Sequence, residues 1–459
     1  MPDRYLKSLV CPLPLDIERL RGAGEISLAL ELIDKRLARP LPAMLRERLE
    51  AERRLLPQLA ANYTFTHEQL LMEMRRRVPS FTDRELNALL DAGLLDFVYI
   101  DGTRYYHEDL AASLLKSQPN LARRAVPSAA EDKTALEDVI RRMMDHDVVY
   151  RYRLRVGMHV RSFEPGTLYR AHLPLAARSM QQSPAEDVKA EGLLLISQDP
   201  EDAPQRTAYL EGTLRKSPDF AIEYTVTQRP RYIDPMDESV RGPVYPDARP
   251  VCDDDLAEIP PHLAFTPSIR ALAAELREGE NDPVRAARKF YDFITENVTY
   301  SYMPPYRLLE TGAEYCAVNL RGDCGIQALL FIALCRVSGI PARWQSGLCA
   351  QPGSLGSHDW AEFYSERLGW LPVDCSFGGG GKRDGSRLRR EFYFGNLDPW
   401  RMVANRAYYA PFLTAKKYPR VDPYDNQRGE IENDGRGLIG GEFKNTLSLV
   451  WHEETEAGK

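Results

Sequence analysis

R-G-D-C-G-I-Q-A-L-L at residues 321–330 is the stretch that decides the fold, because Cys324 stands where a turn opens an apolar helix. Two strand-like segments follow it, S-H-D-W-A-E-F-Y at 357–364 and G-W-L-P-V-D-C-S at 369–376. They carry His358 and Asp374. A thiol, an imidazole and a carboxylate that converge are the parts of an activated nucleophile. The three residues are therefore the candidate catalytic set.

The helix that Cys324 opens bears on the ionisation of the thiol. A helix N-terminus carries about half a positive charge, which favours thiolate over thiol, and its unpaired N–H groups can donate to an oxyanion. Asp323 works mildly against the thiolate. We therefore expect an acidic thiol at Cys324, provided that an imidazole lies beside it.

The two strand-like segments can pair as a hairpin. A turn near Glu366 places 358 opposite 374, and cross-strand neighbours lie about 5 Å apart at Cβ. In that register Asp374 holds His358 in the tautomer that accepts the thiol proton. A slip of one residue would turn Asp374 to the other face of the sheet.

The chain resembles the transglutaminase-like superfamily at four motifs in order: R-G-D-C at 321–324, G-I-P-A-R at 339–343, H-D-W-A-E-F-Y at 358–364 and G-W-L-P-V-D-C-S at 369–376. The resemblance spans about 265 to 400 and implies a papain-like cysteine fold. It also implies that Cys324 is the nucleophile, His358 the general base and acid, and Asp374 the orienting carboxylate.

The same resemblance implies acyl transfer on peptide amides through a thioester, with a peptide or protein as substrate. Hydrolysis by a peptidase or amidase is favoured, because water is the default acceptor and no amine site is visible. The alternatives are a cross-linking protein-glutamine transglutaminase and a non-catalytic peptide-binding protein.

Two features separate the chain from the animal cross-linking enzymes of this superfamily. Gly325 stands where those enzymes have tryptophan, and no calcium site is obvious, so the pattern is closer to bacterial transglutaminase-like proteins. An upstream tyrosine could complete the oxyanion hole. Tyr302 is one candidate, but spacing does not separate it from Tyr300, Tyr306 and Tyr315.

The composition argues against several other classes of function. The 459 residues carry a net charge of −7, with 43% hydrophobic and 28% charged residues, so no basic field argues for a nucleic-acid partner. No apolar run approaches the length of a membrane span. Seven cysteines without a C-x-x-C pair argue against structural zinc and for reduced thiols. We expect a cytoplasmic protein without cofactor or metal; the oligomeric state stays open.

The chain divides into four predicted regions of an α+β protein. Residues 1–145 are mainly helical with a β-hairpin at Asp101-Gly102, a helix-then-hairpin order that resembles a winged-helix fragment. Residues 146–262 alternate as antiparallel strands and end in a linker. The catalytic domain covers 263–400, and 401–459 is a C-terminal extension.

Two further segments partly resemble ligand-binding loops, but we interpret both as structural. Gly378 to Gly381 precede Lys382 and superficially resemble a phosphate loop, but no Ser or Thr follows, so a mobile loop is predicted. The acidic segment 422–432 lacks the spacing of an EF-hand and is interpreted as a surface turn.

Overall fold

The computed structural model describes residues 7–126, 133–246 and 248–456. The first region is helical, as predicted. Its helices are α1 Leu15–Ala23, α2 Ile26–Leu37, α3 Ala43–Asn62, α4 His67–Arg77, α5 Asp83–Asp91, α6 Leu110–Ser117, α7 Pro119–Arg124 and α8 Lys133–Asp145. Thr82 caps α5 in a capping box with Glu85, which the T-x-x-E spacing predicts.

A small sheet completes the first region. It has the order β1-β3-β2, formed by β1 Tyr63–Phe65, β2 Phe97–Ile100 and β3 Thr103–His107. The hairpin at Asp101-Gly102 is confirmed, and both residues have positive φ, at 46° and 84°. A two-residue turn of this kind matches the right-handed twist of the strands it joins.

The second region is a sandwich of two antiparallel four-stranded sheets. One sheet has the order β17-β4-β9-β6 and the other β16-β5-β8-β7. The strands are β4 Val148–Val160, β5 Leu168–Pro174, β6 Glu186–Glu191, β7 Leu194–Gln198, β8 Thr207–Thr213, β9 Asp219–Gln228, β16 Glu430–Asn433 and β17 Phe443–Glu456. In β4 buried residues alternate with half-buried ones, as the sequence period predicts.

The third region packs helices against one face of a four-stranded sheet of order β14-β13-β12-β15. Its elements are α9 Pro267–Arg277, α10 Pro283–Asn297, α11 Ala313–Asn319, α12 Cys324–Val337, β12 Ala342–Gln351, β13 Ser354–Ser365, β14 Gly369–Val373, α13 Cys375–Arg383, α14 Arg387–Phe392 and β15 Arg401–Asn405. Short parallel strands β10 Thr299–Tyr300 and β11 Arg321–Gly322 lead into α12, and 3-10 turns lie at Asp253–Asp255 and Tyr306–Leu308. Asp282 caps α10 with Pro283 following it, as predicted.

Two hydrophobic cores meet at this sheet. Ala361 and Phe363 of β13 pack in the core around α12, whereas Trp360 of the same strand packs in the core of the sandwich. Because side chains alternate along a strand, the two faces of this one sheet pack in different cores, and the sheet joins the two units.

The residues after 400 do not form a separate extension. Strand β15 pairs with β12 in the third region, and β16 and β17 pair with β5 and β4 of the sandwich. The pairings of β16 and β17 with the sandwich join residues more than 250 positions apart in the sequence, which local patterns do not reveal. Within the described residues, no helix combines the length and apolarity that crossing a bilayer requires.

Candidate active site

Cys324 occupies the first turn of α12, where the sequence predicts it. Asp323 is the N-cap, and its Oδ1 accepts a hydrogen bond from the Ile326 N–H at 3.1 Å. The Tyr306 hydroxyl donates to the same oxygen at 2.6 Å. These contacts fix the start of the helix and leave the N–H groups of the first turn near the thiol.

His358 and Asp374 are in direct contact, as predicted. Nε2 of His358 lies 2.7 Å from Oδ2 of Asp374, and both side chains are buried. The register differs from the prediction by two residues, because β13 pairs with β14 as Ala361↔Val373 and Ser365↔Gly369. A shift of two preserves the face of each side chain, so the contact survives as a diagonal one.

Arg401 holds the carboxylate of this pair in place. Its Nη2 lies 3.1 Å from Asp374 Oδ2, and its guanidinium stacks over Phe377 at 3.7 Å. Burial alone would raise the pKa of Asp374, but His358 and Arg401 outweigh it and keep the pKa below its usual value. Asp374 is therefore a carboxylate at neutral pH.

His358 is neutral at the same pH. Burial lowers the pKa of His358, Asp374 opposes that effect and Arg401 adds to it. An Nε2–H that donates to Asp374 leaves Nδ1 as the proton acceptor. His358 therefore has the charge state of a general base.

Cys324 donates a hydrogen bond to a residue that the sequence analysis did not single out. Its Sγ lies 3.3 Å from Oδ2 of Asp359, the neighbour of His358 in β13. Within the described ranges no hydrogen bond joins Cys324 to His358. The structure thus brings His358 to Asp374 and Cys324 to Asp359, and the two pairs meet at one dipeptide of β13.

The expectation of an acidic thiol is wrong for this arrangement. Burial raises the pKa of Cys324 well above its usual value, and the charges of Asp359 and Asp323 raise it further. The N-terminal dipole of α12 does not overcome two carboxylates at close range. Cys324 is therefore a thiol at neutral pH in this state.

Asp359 belongs to a group of buried acids. Gln427 Nε2 donates to its Oδ1, and Asp425, 5% exposed, accepts a 2.5 Å hydrogen bond from Ser346. Burial raises the pKa of Asp359, and the charges of Asp425 and Asp323 add to the effect. Burial also raises the pKa of Asp425 to about 7 and that of Asp323 to about 6. In the described part of the chain no group of three or more such side chains is arranged to hold a metal ion.

The acidic segment 422–432 is not a surface turn, contrary to the prediction. Asp425, Glu430 and Glu432 are buried. Glu430 accepts from Lys416 and Arg420, and Gln427 donates to the backbone carbonyl of His358 at 3.0 Å. The segment therefore crosses the site and supports it.

The residue after Cys324 must be small in this chain. A Cβ on Gly325 would lie 2.2 Å from Tyr306 Oη, 2.8 Å from Asp359 Oδ2 and 2.9 Å from the ring of Trp344. Distances below 3 Å require neighbours to shift. Tyr306, Asp359 and Trp344 thus fill the space that a tryptophan at this position would need.

The structure separates the four candidate tyrosines. The Tyr306 hydroxyl donates its hydrogen bond to Asp323. The pKa of Tyr315 is raised chiefly by burial and by the charge of Asp96. The pKa of Tyr300 is raised by burial and then, first among the charges, by Cys324. Lys116 of α6 lies over the rings of Tyr300 and Tyr302, at 4.5 and 4.8 Å. The charge of Cys324 also raises the pKa of Tyr306, so both Tyr300 and Tyr306 are coupled to the thiol.

The Gly378–Gly381 segment is helical, so the prediction of a mobile loop is wrong. It forms the middle of α13, which packs on α10 and α14. A Cβ on Gly378 would lie 1.8 Å from Tyr291 Oη, and one on Gly381 would lie 2.7 Å from the Arg390 nitrogen. The glycines permit close helix packing, which outweighs their low helix propensity.

Comparisons with known proteins point to one superfamily. Residues 270–375 match the family model of the transglutaminase-like superfamily. A protein-glutamine gamma-glutamyltransferase of Pseudomonas aeruginosa is 29% identical over 122 residues, which is 24% of this chain and 18% of that protein. The chain therefore spans less than a fifth of that curated relative.

Solved structures with some similarity include two of note. A proposed cysteine protease from Cytophaga hutchinsonii is 17% identical with a TM-score of 0.41, over 68% of this chain and 92% of that one. The periplasmic domain of TgpA from Pseudomonas aeruginosa is 15% identical with a TM-score of 0.27, over 56% of this chain and 96% of that one.

Proposed function

Since this chain carries a transglutaminase-like domain, we propose that it is a cysteine-dependent enzyme that hydrolyses peptide amides through a thioester at Cys324. The observation that supports this most is the His358–Asp374 contact at 2.7 Å, which Arg401 supports, with His358 next in the chain to Asp359, the hydrogen-bond partner of Cys324. A neutral imidazole oriented by a carboxylate is the base that a thiol requires.

The Cys324–Asp359 hydrogen bond is interpreted as the resting state. In that state the thiol is protonated and directed to Asp359 Oδ2, 3.3 Å away. Substrate binding shifts the thiol from Asp359 to Nδ1 of His358, one residue along β13.

The reaction then follows in balanced steps. Sγ gives its proton to Nδ1 of His358 and attacks the amide carbonyl carbon, and the first-turn N–H groups of α12 receive the oxyanion. The imidazolium returns the proton to the leaving nitrogen, the C–N bond breaks and a thioester forms. Water attacks the thioester with His358 as base, the acid leaves and the thiol is restored.

A second candidate function is transamidation, favoured by the similarity to the protein-glutamine gamma-glutamyltransferase. The first half-reaction is the same, and an amine replaces water in the second. The two functions therefore differ only in whether water or an amine attacks the thioester.

The experiment incubates the purified chain with peptides that contain internal amides and glutamine side chains, with and without a fluorescent primary amine. Mass spectrometry of the products distinguishes the outcomes: chain cleavage or a +1 Da acid indicates hydrolysis, and incorporated amine indicates transamidation. Cys324→Ala should abolish both products, and Cys11→Ala, which removes a remote half-buried thiol, should change neither. Equal turnover by Cys324→Ala would refute the proposal, and peptide binding without any product would identify a binding protein.

A further inference from the structure

A cavity of about 480 Å³ lies where the sandwich, the connecting segment 229–262 and the sheet of the third region meet. We call it the arginine cavity. Six arginines line it: Arg178, Arg229, Arg231, Arg249, Arg343 and Arg406. Among the lining residues that the structure describes, Asp202 is the only acidic one. Its volume falls within the range of small-molecule sites.

Three of the arginines have carboxylate partners. Arg178 pairs with Glu201, Arg249 with Asp255 and Arg343 with Glu362. The other three make no ion pair within the described ranges. Arg406 donates to the backbone oxygen of Asp202 at 3.3 Å, and Arg231 donates to that of Val244 at 3.0 Å. The described part of the lining therefore carries more positive charge than its described carboxylates neutralise.

Arg343 supplies an independent sign of a missing partner. It is 4% exposed, and its guanidinium lies 3.9 Å over the ring of Trp370. Its Nε pairs with Glu362, but its Nη1 is buried without a hydrogen-bond partner. Nε2 of Gln345, on the same face of β12, is also buried without one, while its Oε1 accepts from Ser179 of the cavity wall. Buried unsatisfied donors are costly, so an acceptor at this position would stabilise the fold.

We propose that the arginine cavity binds a small multivalent oxyanion, a molecule with two or more phosphate or carboxylate groups. Guanidinium groups recognise both oxyanions through paired N–H donors. Burial lowers the pKa of Arg406, and the charges of Arg343 and Arg249 lower it further while Glu362 opposes them, which is consistent with repulsion between neighbouring guanidinium groups. An anion relieves that repulsion.

This site is distinct from the one at Cys324. On β12, Gly347 pairs with His358, and Arg343 lies four residues before Gly347, about 13 Å along a strand. An anion in the cavity would join Arg229, directly after β9 of the sandwich, to Arg231 and Arg249 further along the connecting segment and to Arg343 of the sheet. Its occupancy would stabilise the contact between the sandwich and the third region without touching the thiol.

Isothermal titration calorimetry at fixed ionic strength tests the proposal, with pyrophosphate and citrate as the probes. We expect saturable binding of at least one of them at one site per chain, with a rise in unfolding temperature; the stronger probe identifies the preferred oxyanion. Arg229→Gln, at an exposed side chain, and Arg406→Gln should each weaken binding by about tenfold through loss of a charge-assisted contact. Arg215→Gln, at an exposed arginine of the sandwich away from the cavity, is the matched control and should bind as the parent does.

Two results would overturn the proposal. One is the lack of saturable binding by both probes. The other is equal affinity in Arg229→Gln and Arg215→Gln, which would show that binding follows overall charge and not this cavity. Both measurements are independent of turnover, so they stand whether or not Cys324 forms a thioester.

Discussion

Replacing Asp359 with Asn should make Cys324 more acidic, and we expect the proposed hydrolysis to persist. Asn keeps the shape of the side chain but removes the charge that lies 3.3 Å from Sγ. The charge of Asp359 is one of the causes that raise the pKa of Cys324, so the thiolate of the parent forms beside a carboxylate. Removing that carboxylate favours the thiolate and lowers the pKa of Cys324.

The magnitude follows from the distance. Two unit charges 3.3 Å apart repel by about 5 kcal/mol at an effective dielectric constant of about 20. At about 1.4 kcal/mol for each pH unit, this corresponds to an upper limit of about 3.5 pH units. Cys324 is half-buried, so solvent screens part of the repulsion, and we expect a fall of at least about one pH unit.

The assay is the rate of alkylation by iodoacetamide as a function of pH. Mass spectrometry of the peptide that contains Cys324 separates it from Cys11 and Cys252, which are the other accessible thiols. Asp138→Asn, at a side chain 54% exposed on α8, serves as an isosteric control and should leave the profile unchanged. An unchanged or upward-shifted profile in Asp359→Asn would refute the electrostatic argument. Turnover as low as in Cys324→Ala would show that Asp359, not His358, is the base.

Three further results are expected. Asp374→Asn should lower kcat/KM by roughly 10²–10⁴, since the amide no longer holds the imidazole in its tautomer; a loss below tenfold would contradict that role. Gly325→Ala should cost about 1–3 kcal/mol in chemical denaturation, whereas Gly356→Ala, whose Cβ meets nothing within 4 Å, should stay within about 0.5 kcal/mol; equal costs would contradict the steric argument. Burial lowers the pKa of His172 and of His262 to about 4, so the unfolded chain takes up these protons first as pH falls below about 6.5. The free energy of unfolding should thus fall by up to about 3 kcal/mol for each histidine between pH 6.5 and 4, and a flat pH profile would contradict it.

Much of the local structure could be predicted from the sequence. The period of β4, the cap of α5, the hairpin at Asp101-Gly102 and the start of α12 at Cys324 all depend on near neighbours in the chain. The contact between His358 and Asp374 was predicted for the same reason, because a hairpin sets it. The two-residue error in register comes from the turn, whose length the pattern does not determine.

The features that the sequence did not reveal are contacts between distant segments. Asp359 follows His358 in β13 and was not singled out from the sequence, yet it accepts a hydrogen bond from the thiol because α12 approaches that face of β13. The acidic segment around Asp425 looked like a surface turn because its partners are Ser346 and other residues far away in the chain. Gly378 was assigned to a mobile loop because the group that leaves no room for a side chain there, the Tyr291 hydroxyl, comes from another helix.

The most direct measurement of the central claim is the intact mass of the protein during turnover of an amide substrate, after rapid acid quench. A covalent enzyme mechanism predicts an adduct with the mass of the acyl group on the Cys324 peptide, removable by hydroxylamine and missing from Cys324→Ala. Product formation without any such adduct, or the same adduct on Cys324→Ala, would contradict it.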